Sequence, residues 1–207
     1  MSESRPLRVG LFGGAFDPPH RAHRALAEAA LAQLGLDLLL ILPTGQAWHK
    51  SRVLTAAVHR VAMCELAFAG LPRLRVDQRE IRRQGPTYTA DTLAELAAEY
   101  PGAQLYLLMG ADQLLAFRTW SRWQEVLQCA TLAVASRAVE SACQQGELLE
   151  LRGIDIPHIS LDLPPRPLSA TSVRARAEGS PHVDLEPLVP EGVARYISEH
   201  HLYRNAT

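Results

Sequence analysis

Two histidines three residues apart, His20 and His23, follow a pair of adjacent glycines in the run Gly13-Gly14-Ala15-Phe16-Asp17-Pro18-Pro19-His20-Arg21-Ala22-His23. Adjacent glycines turn a backbone sharply and leave peptide N–H groups uncovered, which is how a phosphate is held where a strand meets a helix. Imidazoles at i and i+3 share one helix face, beside the unsatisfied N–H groups and the positive dipole end of the first turn. That chemistry is anion binding. A single histidine at such a place is more often a surface residue, and the pair reverses those odds. A second constellation is Ser169, Thr171 and Ser172 ahead of a helical stretch with Arg174 in its first turn. A cation there opposes the macrodipole, a conflict that an anion would resolve. In a third, His49, Lys50 and Arg52 crowd the loop TGQAWHKSR. Loop cations are solvated about as often as they are functional, but beside a phosphate turn they could clasp a triphosphate.

The elements that must position these groups can be read in order. Leu7 to Phe12 is an apolar run that stops at the glycine pair, and RAHRALAEAALAQLG has a strong helix-forming composition. Pro18-Pro19 can precede a helix but not lie inside one, so the helix starts within a residue or two of His20. Residues 37 to 43, DLLLILP, form a strand apolar on both sides, as in the middle of a parallel sheet. The resulting βαβ unit is right-handed. Gly10, Gly13 and Gly14 do not make G-x-G-x-x-G, so a dehydrogenase-type fold is poorly supported, although Asp37 stands roughly where its ribose-binding acid would be.

A second helix is expected over 55 to 70, capped by Thr55, with Val58, Val61, Ala62, Glu65 and Leu66 at helical spacing and His59 exposed. After a strand at 74 to 76, Thr89 with Asp91 and Thr92 opens a helix ending near Tyr100, a second anion site. A fourth strand, 104 to 109, runs into Gly110-Ala111-Asp112, where glycine permits close approach and the acid either takes ribose hydroxyls or caps a helix. Trp120 and Trp123 head a further helix, a spacing that by default means packing. Strands follow at 130 to 135 and 156 to 161, with a helix and surface loop over 138 to 153 to which no chemistry is assigned. The last helices are one closed by Gly179 and one starting with Pro190 near N1, where His200 and His201 are surface residues. The fold expected is α/β, a doubly wound parallel sheet with helices on both faces and ligands over the strand ends. It forms one domain over 1 to 207, helical from about 168.

The 207 residues are 47% hydrophobic and 21% charged, which suits a well-buried core and excludes disorder. A net charge of −1 implies no broad basic surface for nucleic acid or anionic membrane. Cys64, Cys129 and Cys143 include no C-x-x-C pair, which fits a reducing compartment. The start, MSESRPLR, is polar and short, and no apolar run approaches the ~20 residues of a membrane span. A cytoplasmic location is expected.

GGAFDPPHRAH resembles the GG-T-F-D-P-x-H-x-G-H signature of adenylyl-transferring nucleotidyltransferases, and the whole chain resembles the bacterial nicotinate-nucleotide adenylyltransferases. Ala15 stands where Thr is usual and Ala22 where HxGH has Gly. The resemblance implies a Rossmann-like nucleotidyltransferase fold. The implied reaction is transfer of AMP from ATP to nicotinate mononucleotide, giving nicotinate adenine dinucleotide and pyrophosphate in NAD synthesis. It assigns the ATP phosphates to Gly13, Gly14, Ala15 and Phe16, to His49 and Lys50, and, through a segment similar to I-S-A-T-x-I-R, to Ser169 and Thr171. His20, His23 and Arg174 become the catalytic set. PTYTADTL matches P-S-Y-T-x-x-T-L and puts Thr87, Tyr88 and Thr89 on the nicotinate side, with Thr44 where an Asn is common. Gly110 and Asp112 match the family's ribose-binding G-x-D. Trp120 is the tryptophan that stacks on the pyridine, leaving Trp123 for packing. Backbone N–H groups at Trp120 and Ser121 would meet the ring carboxylate, favouring acid over amide. Mg²⁺ would accompany ATP, and no carboxylate cluster for a metal of the protein's own is visible. The partners implied are the two nucleotides, with neither nucleic acid nor membrane; a homo-oligomer stays open. The alternatives are an acceptor that is nicotinamide mononucleotide or another phosphate such as phosphopantetheine, and a nucleotide-binding regulator without activity, which Ala15 and Ala22 would permit.

Overall fold

A computed structural model describes residues 5–45, 53–137, 155–164, 168–178 and 184–204. His49, Lys50 and the segment expected to be helical over 138 to 153 lie outside the described residues. Six strands form one parallel sheet in the order β3-β2-β1-β4-β5-β6: β1 Arg8–Gly14, β2 Leu38–Pro43, β3 Leu74–Val76, β4 Gln104–Gly110, β5 Thr131–Arg137 and β6 His158–Leu163. The helices described are α1 Arg21–Gln33, α2 Ala57–Ala67, α3 Arg79–Arg82, α4 Thr89–Glu99, α5 Ala111–Leu115, α6 Trp123–Cys129, α7 Ala170–Glu178 and α8 Glu191–Glu199. The doubly wound α/β expectation holds.

The apolar runs are continuous because both faces of the sheet are covered. Side chains alternate between faces, so Leu39 and Ile41 enter one core with Phe12, Ala27, Met63 and Val193, while Leu40 and Leu42 enter the other with Val9, Leu93, Leu107 and Phe117. Val173 and Ala177 of α7 and Ile197 of α8 belong to the first core, so the C-terminal helices pack against the sheet that carries the histidines. Gly10 is required by packing: a Cβ there would lie 2.6 Å from a Leu36 methyl group and 2.9 Å from one of Leu39.

Several local expectations change. Thr55 does not cap α2, whose N-cap is Ala56. The buried face of α2 is Arg60, Val61, Met63, Cys64 and Ala67, whereas Val58 is 69% exposed and Leu66 38%. Valine and leucine at helical spacing suggested the opposite stripe, and tertiary packing overrode it with a buried arginine and small residues. His59 is half-buried rather than exposed, because Tyr196 of α8 lies against it with hydroxyl and Nδ1 3.0 Å apart. Asp37 receives Arg5 and the Arg8 N–H, a structural position ahead of β2.

The chain passes from β1 to β2 on one side and returns to β4 on the other. The crevice over the carboxyl ends of β1 and β4 is therefore the topological switch point, where doubly wound sheets bind ligands. Phe12 pairs with Leu108, so Gly14 and Gly110 end their strands at the same height.

Candidate active site

The turn after β1 is held from within. Phe16 adopts a left-handed backbone (φ 46°) and buries its ring edge-on against Phe12 at 5.4 Å, His23 at 5.0 Å and Phe68 at 6.0 Å. Left-handed strain costs a bulky residue about 1–3 kcal/mol, a cost that this burial offsets. The Phe16 side chain consequently cannot meet a phosphate, which corrects its assignment to the ATP-binding set except through its backbone. Arg60, buried on α2, donates from Nη1 to the Ala15 carbonyl at 2.9 Å and from Nε to the Thr55 carbonyl at 2.9 Å. The Thr44 N–H donates to the Gly14 carbonyl at 2.9 Å, bringing Thr44 beside the glycine turn. A Cβ at Gly13 would meet nothing within 4 Å, so the space above the strand end is open.

His20 is the extended N-cap of α1, and its N–H donates to Nδ1 of His23 at 3.1 Å. An accepting Nδ1 carries no proton, so the N–H of neutral His23 is on Nε2. The two rings stack with centroids 3.6 Å apart. His20 is 6% exposed and burial pulls its pKa down to about 4, so it is neutral at pH 7. Its Nδ1 is buried without a hydrogen-bond partner among the described residues. A buried polar atom left unsatisfied beside a glycine turn fits a site whose ligand completes it.

Arg174 reaches this turn from α7. Its Nη1 donates to the Asp17 carbonyl at 2.8 Å, and its Nη2 to Thr171 Oγ1 at 3.0 Å. Ser169 and Ser172 cap α7 reciprocally, each hydroxyl accepting the other's N–H, at 3.1 and 3.2 Å. Thr171 and Ser172 therefore lie inside the helix rather than ahead of it, and the Ser169 hydroxyl already serves as a cap. The openings of α1 and α7, 149 residues apart in the chain, meet at Asp17.

The opposite side of the crevice is built differently. Tyr88 is the N-cap of α4 and Thr89 its first residue, with no side-chain cap. Asp91 pairs with Arg122 of the turn before α6, whose guanidinium also lies over the Tyr88 ring at 5.6 Å. Thr92 is buried and donates to Glu80 Oε1 at 3.0 Å. Burial raises the Glu80 pKa to about 7. Thr87 lies within 3.5 Å of the Glu80 carbonyl, and Gly45 packs so closely on that carbonyl that no Cβ fits. Gly110, not Asp112, caps α5; a Cβ at Gly110 would lie 2.6 Å from Asp112 Oδ1, and Asp112 is exposed. Trp120 and Trp123 both pack on Phe117, at 5.4 and 6.2 Å, and both are half-buried. The Trp120 N–H donates to the Phe117 carbonyl at 3.0 Å, so it is not the donor to a ring carboxylate expected from the sequence. Ser121 stays exposed in the turn that follows.

Sequence reasoning missed Asp17, Arg60, Glu80 and Tyr203, whose bonds tie the turns of the site to other segments. An arginine leading into the apolar run Val61-Ala62-Met63-Cys64, as Arg60 does in AVHRVAMCELA, was the signal available; the Asp17 contacts to Thr55, Arg174 and Tyr203 are long-range and had none. Among the described residues no group of three or more His, Cys, Asp or Glu side chains could hold a metal ion.

A parallel sheet with its switch point between β1 and β4, and paired imidazoles at a glycine turn, define a nucleotidyltransferase. Residues 11–176 match the cytidylyltransferase-like family. A probable nicotinate-nucleotide adenylyltransferase of Albidiferax ferrireducens is 49% identical over 203 residues, 96% of this chain and 99% of its own. One of Methylibium petroleiphilum is 42% identical over 98% of this chain and 95% of its own. The chain belongs to the nicotinate-nucleotide adenylyltransferase family. The fold also matches a solved nicotinic acid mononucleotide adenylyltransferase of Plasmodium falciparum complexed with NaAD, with a TM-score of 0.71 and 14% identity over 95% of this chain and 97% of that one. A putative nicotinate-nucleotide adenylyltransferase of Vibrio parahaemolyticus gives 0.69 and 19% over 97% of each chain.

Proposed function

We propose that this protein transfers AMP from ATP to nicotinate mononucleotide, forming nicotinate adenine dinucleotide and pyrophosphate in NAD synthesis. The observation that carries the reading is the convergence on one turn of His20, His23 and Arg174. A phosphate oxygen of the mononucleotide forms a new bond to the α-phosphorus of ATP, and the bond from that phosphorus to the β-phosphate bridge oxygen breaks. The nucleophile is already an anion, so no general base is required. The protein aligns the two phosphates and stabilises charge moving onto pyrophosphate. In this reading His23 donates from Nε2 to the α-phosphate, His20 completes its unsatisfied Nδ1 on the nucleotide, and Arg174 faces the leaving group. The N–H groups of Gly13, Gly14 and Ala15 cradle phosphate, while His49, Lys50, Ser169 and Thr171 are assigned to ATP with them. Thr44, Thr87, Tyr88, Thr89, Gly110, Asp112, Trp120 and Ser121 are assigned to the acceptor, with the pyridine stacked on Trp120. Mg²⁺ enters as part of the ATP substrate. Among the described residues no helix is long and apolar enough to cross a membrane, and we place the reaction in the cytoplasm.

The test is pyrophosphate release from MgATP with each acceptor alone and with both in competition. Nicotinate mononucleotide should give the higher kcat/KM. Equal or greater use of nicotinamide mononucleotide would overturn the acid preference, and no release with either would overturn the transferase itself.

A further inference from the structure

The chain end after α8 has no part in the reaction as derived so far, yet it returns to the motif turn. The helix docks on α2 through Tyr196 against His59 and buries Val193 and Ile197. It then turns back through left-handed residues His201 (φ 52°) and Tyr203 (φ 63°), with the Leu202 N–H bonded to the Ile197 carbonyl at 3.0 Å. This reversal sends the Tyr203 ring inward. Its hydroxyl donates to Asp17 Oδ1 at 2.6 Å and lies 4.0 Å from Met63 Sδ. Asp17 is 1% exposed, and its other carboxylate oxygen accepts the Thr55 N–H at 3.1 Å. The same residue's carbonyl accepts Arg174 Nη1. Asp17 thus joins four segments: the β1–α1 turn, the approach to α2, α7 and the chain end.

We infer that Tyr203 is a positioning residue for adenylyl transfer, acting through Asp17 to hold the carbonyl on which the Arg174 guanidinium is aimed. The inference rests on the role of Arg174 proposed above. A hydroxyl bond to a carboxylate is of the stronger, charge-assisted kind, and a buried carboxylate held at both oxygens leaves its main chain little freedom to turn. Burial pushes the phenol pKa upward, so the O–H stays a donor at every working pH. A guanidinium displaced by about 1 Å would meet the leaving phosphates poorly, which lowers the rate more than it weakens binding of the distant acceptor.

The experiment is a double-mutant cycle on the full chain, with kcat and KM measured for MgATP and nicotinate mononucleotide. Tyr203→Phe should lower kcat about tenfold, with the acceptor KM changed less than about twofold. In an Arg174→Ala background the same change should cost less than about twofold, since the group it positions is gone. Tyr196→Phe is the control: it removes a hydroxyl from the same docked segment without touching Asp17, and its effect on kcat should be the same with and without Arg174. Equal losses from Tyr203→Phe in both backgrounds would overturn the inference, as would unchanged kcat in the single variant. If Tyr203→Phe reduces the folded fraction, kcat per folded molecule is used, and a loss confined to that fraction also overturns it. Failure of the parent enzyme to release pyrophosphate would instead sink the transferase reading, so the two failures are distinguishable.

Discussion

The two sides of the crevice are held in opposite ways. At the turn carrying His20 and His23 the supporting groups are buried or half-buried and mostly grip the main chain: Arg60 on the Ala15 carbonyl, Arg174 on the Asp17 carbonyl, Tyr203 on the Asp17 carboxylate. At the Tyr88 and Trp120 side a buried Thr92–Glu80 bond lies behind α4, but the turn before α6 is tied to it by the Arg122–Asp91 ion pair, whose side chains are 38% and 40% exposed. A buried hydrogen bond is costly to leave unmade, and an exposed ion pair can break at little cost. The arrangement suits a reaction whose charge development needs a preorganised end, while the acceptor must enter and leave.

The largest expected effect tests the rigid side. His23→Ala should lower kcat about a hundredfold or more with little change in acceptor KM, read in steady-state assays; an effect on KM alone would place His23 outside the reaction centre. The next separates the two sides by pH. His20 has a lowered folded pKa, about 4 against 6.5, so its contribution to stability is present above pH 6.5 and is lost as pH falls towards 4. Glu80 has a raised folded pKa, about 7 against 4.5, so its contribution is present below pH 4.5 and is lost as pH rises through 7. Each is worth at most about 3 kcal/mol. In denaturant titrations between pH 4.5 and 7.5, relative to the parent, His20→Gln should gain stability towards acid and Glu80→Gln towards neutral pH. Slopes of the same sign would break the contrast.

Trp120→Ala should raise the acceptor KM about tenfold with kcat nearly unchanged, the size of one lost stacking contact. A fall in kcat with unchanged KM would move Trp120 to the rigid side. The smallest effect is expected for Arg122→Gln: loss of the exposed pair should lower stability by less than about 1 kcal/mol, measured by chemical denaturation, and a loss of several would show that this side is as tightly built as the other.

The strands, the start of α1 and the pairing of two imidazoles were legible because they rest on local signals: unbroken apolar runs, a glycine pair, two prolines and a three-residue spacing. Arg174 stood out for the same reason, as a cation at the wrong end of a helix. Local signals failed where one residue had two readings. Val58 and Leu66 kept helical spacing yet face outward, since the core side of α2 needed Arg60 to satisfy carbonyls contributed by other segments. The Trp120 N–H looked available until the short turn Phe117–Thr119 took it.

By itself the sequence determined the alternation of strands and helices and which side chains could bind anions, because both follow from neighbours within a few residues. Only the tertiary structure decided that Asp17, Thr55, Arg174 and Tyr203 meet. Contacts across 38, 157 and 186 residues arise from how the sheet orders its strands and where α7 and α8 dock, and no periodicity in the chain encodes those distances.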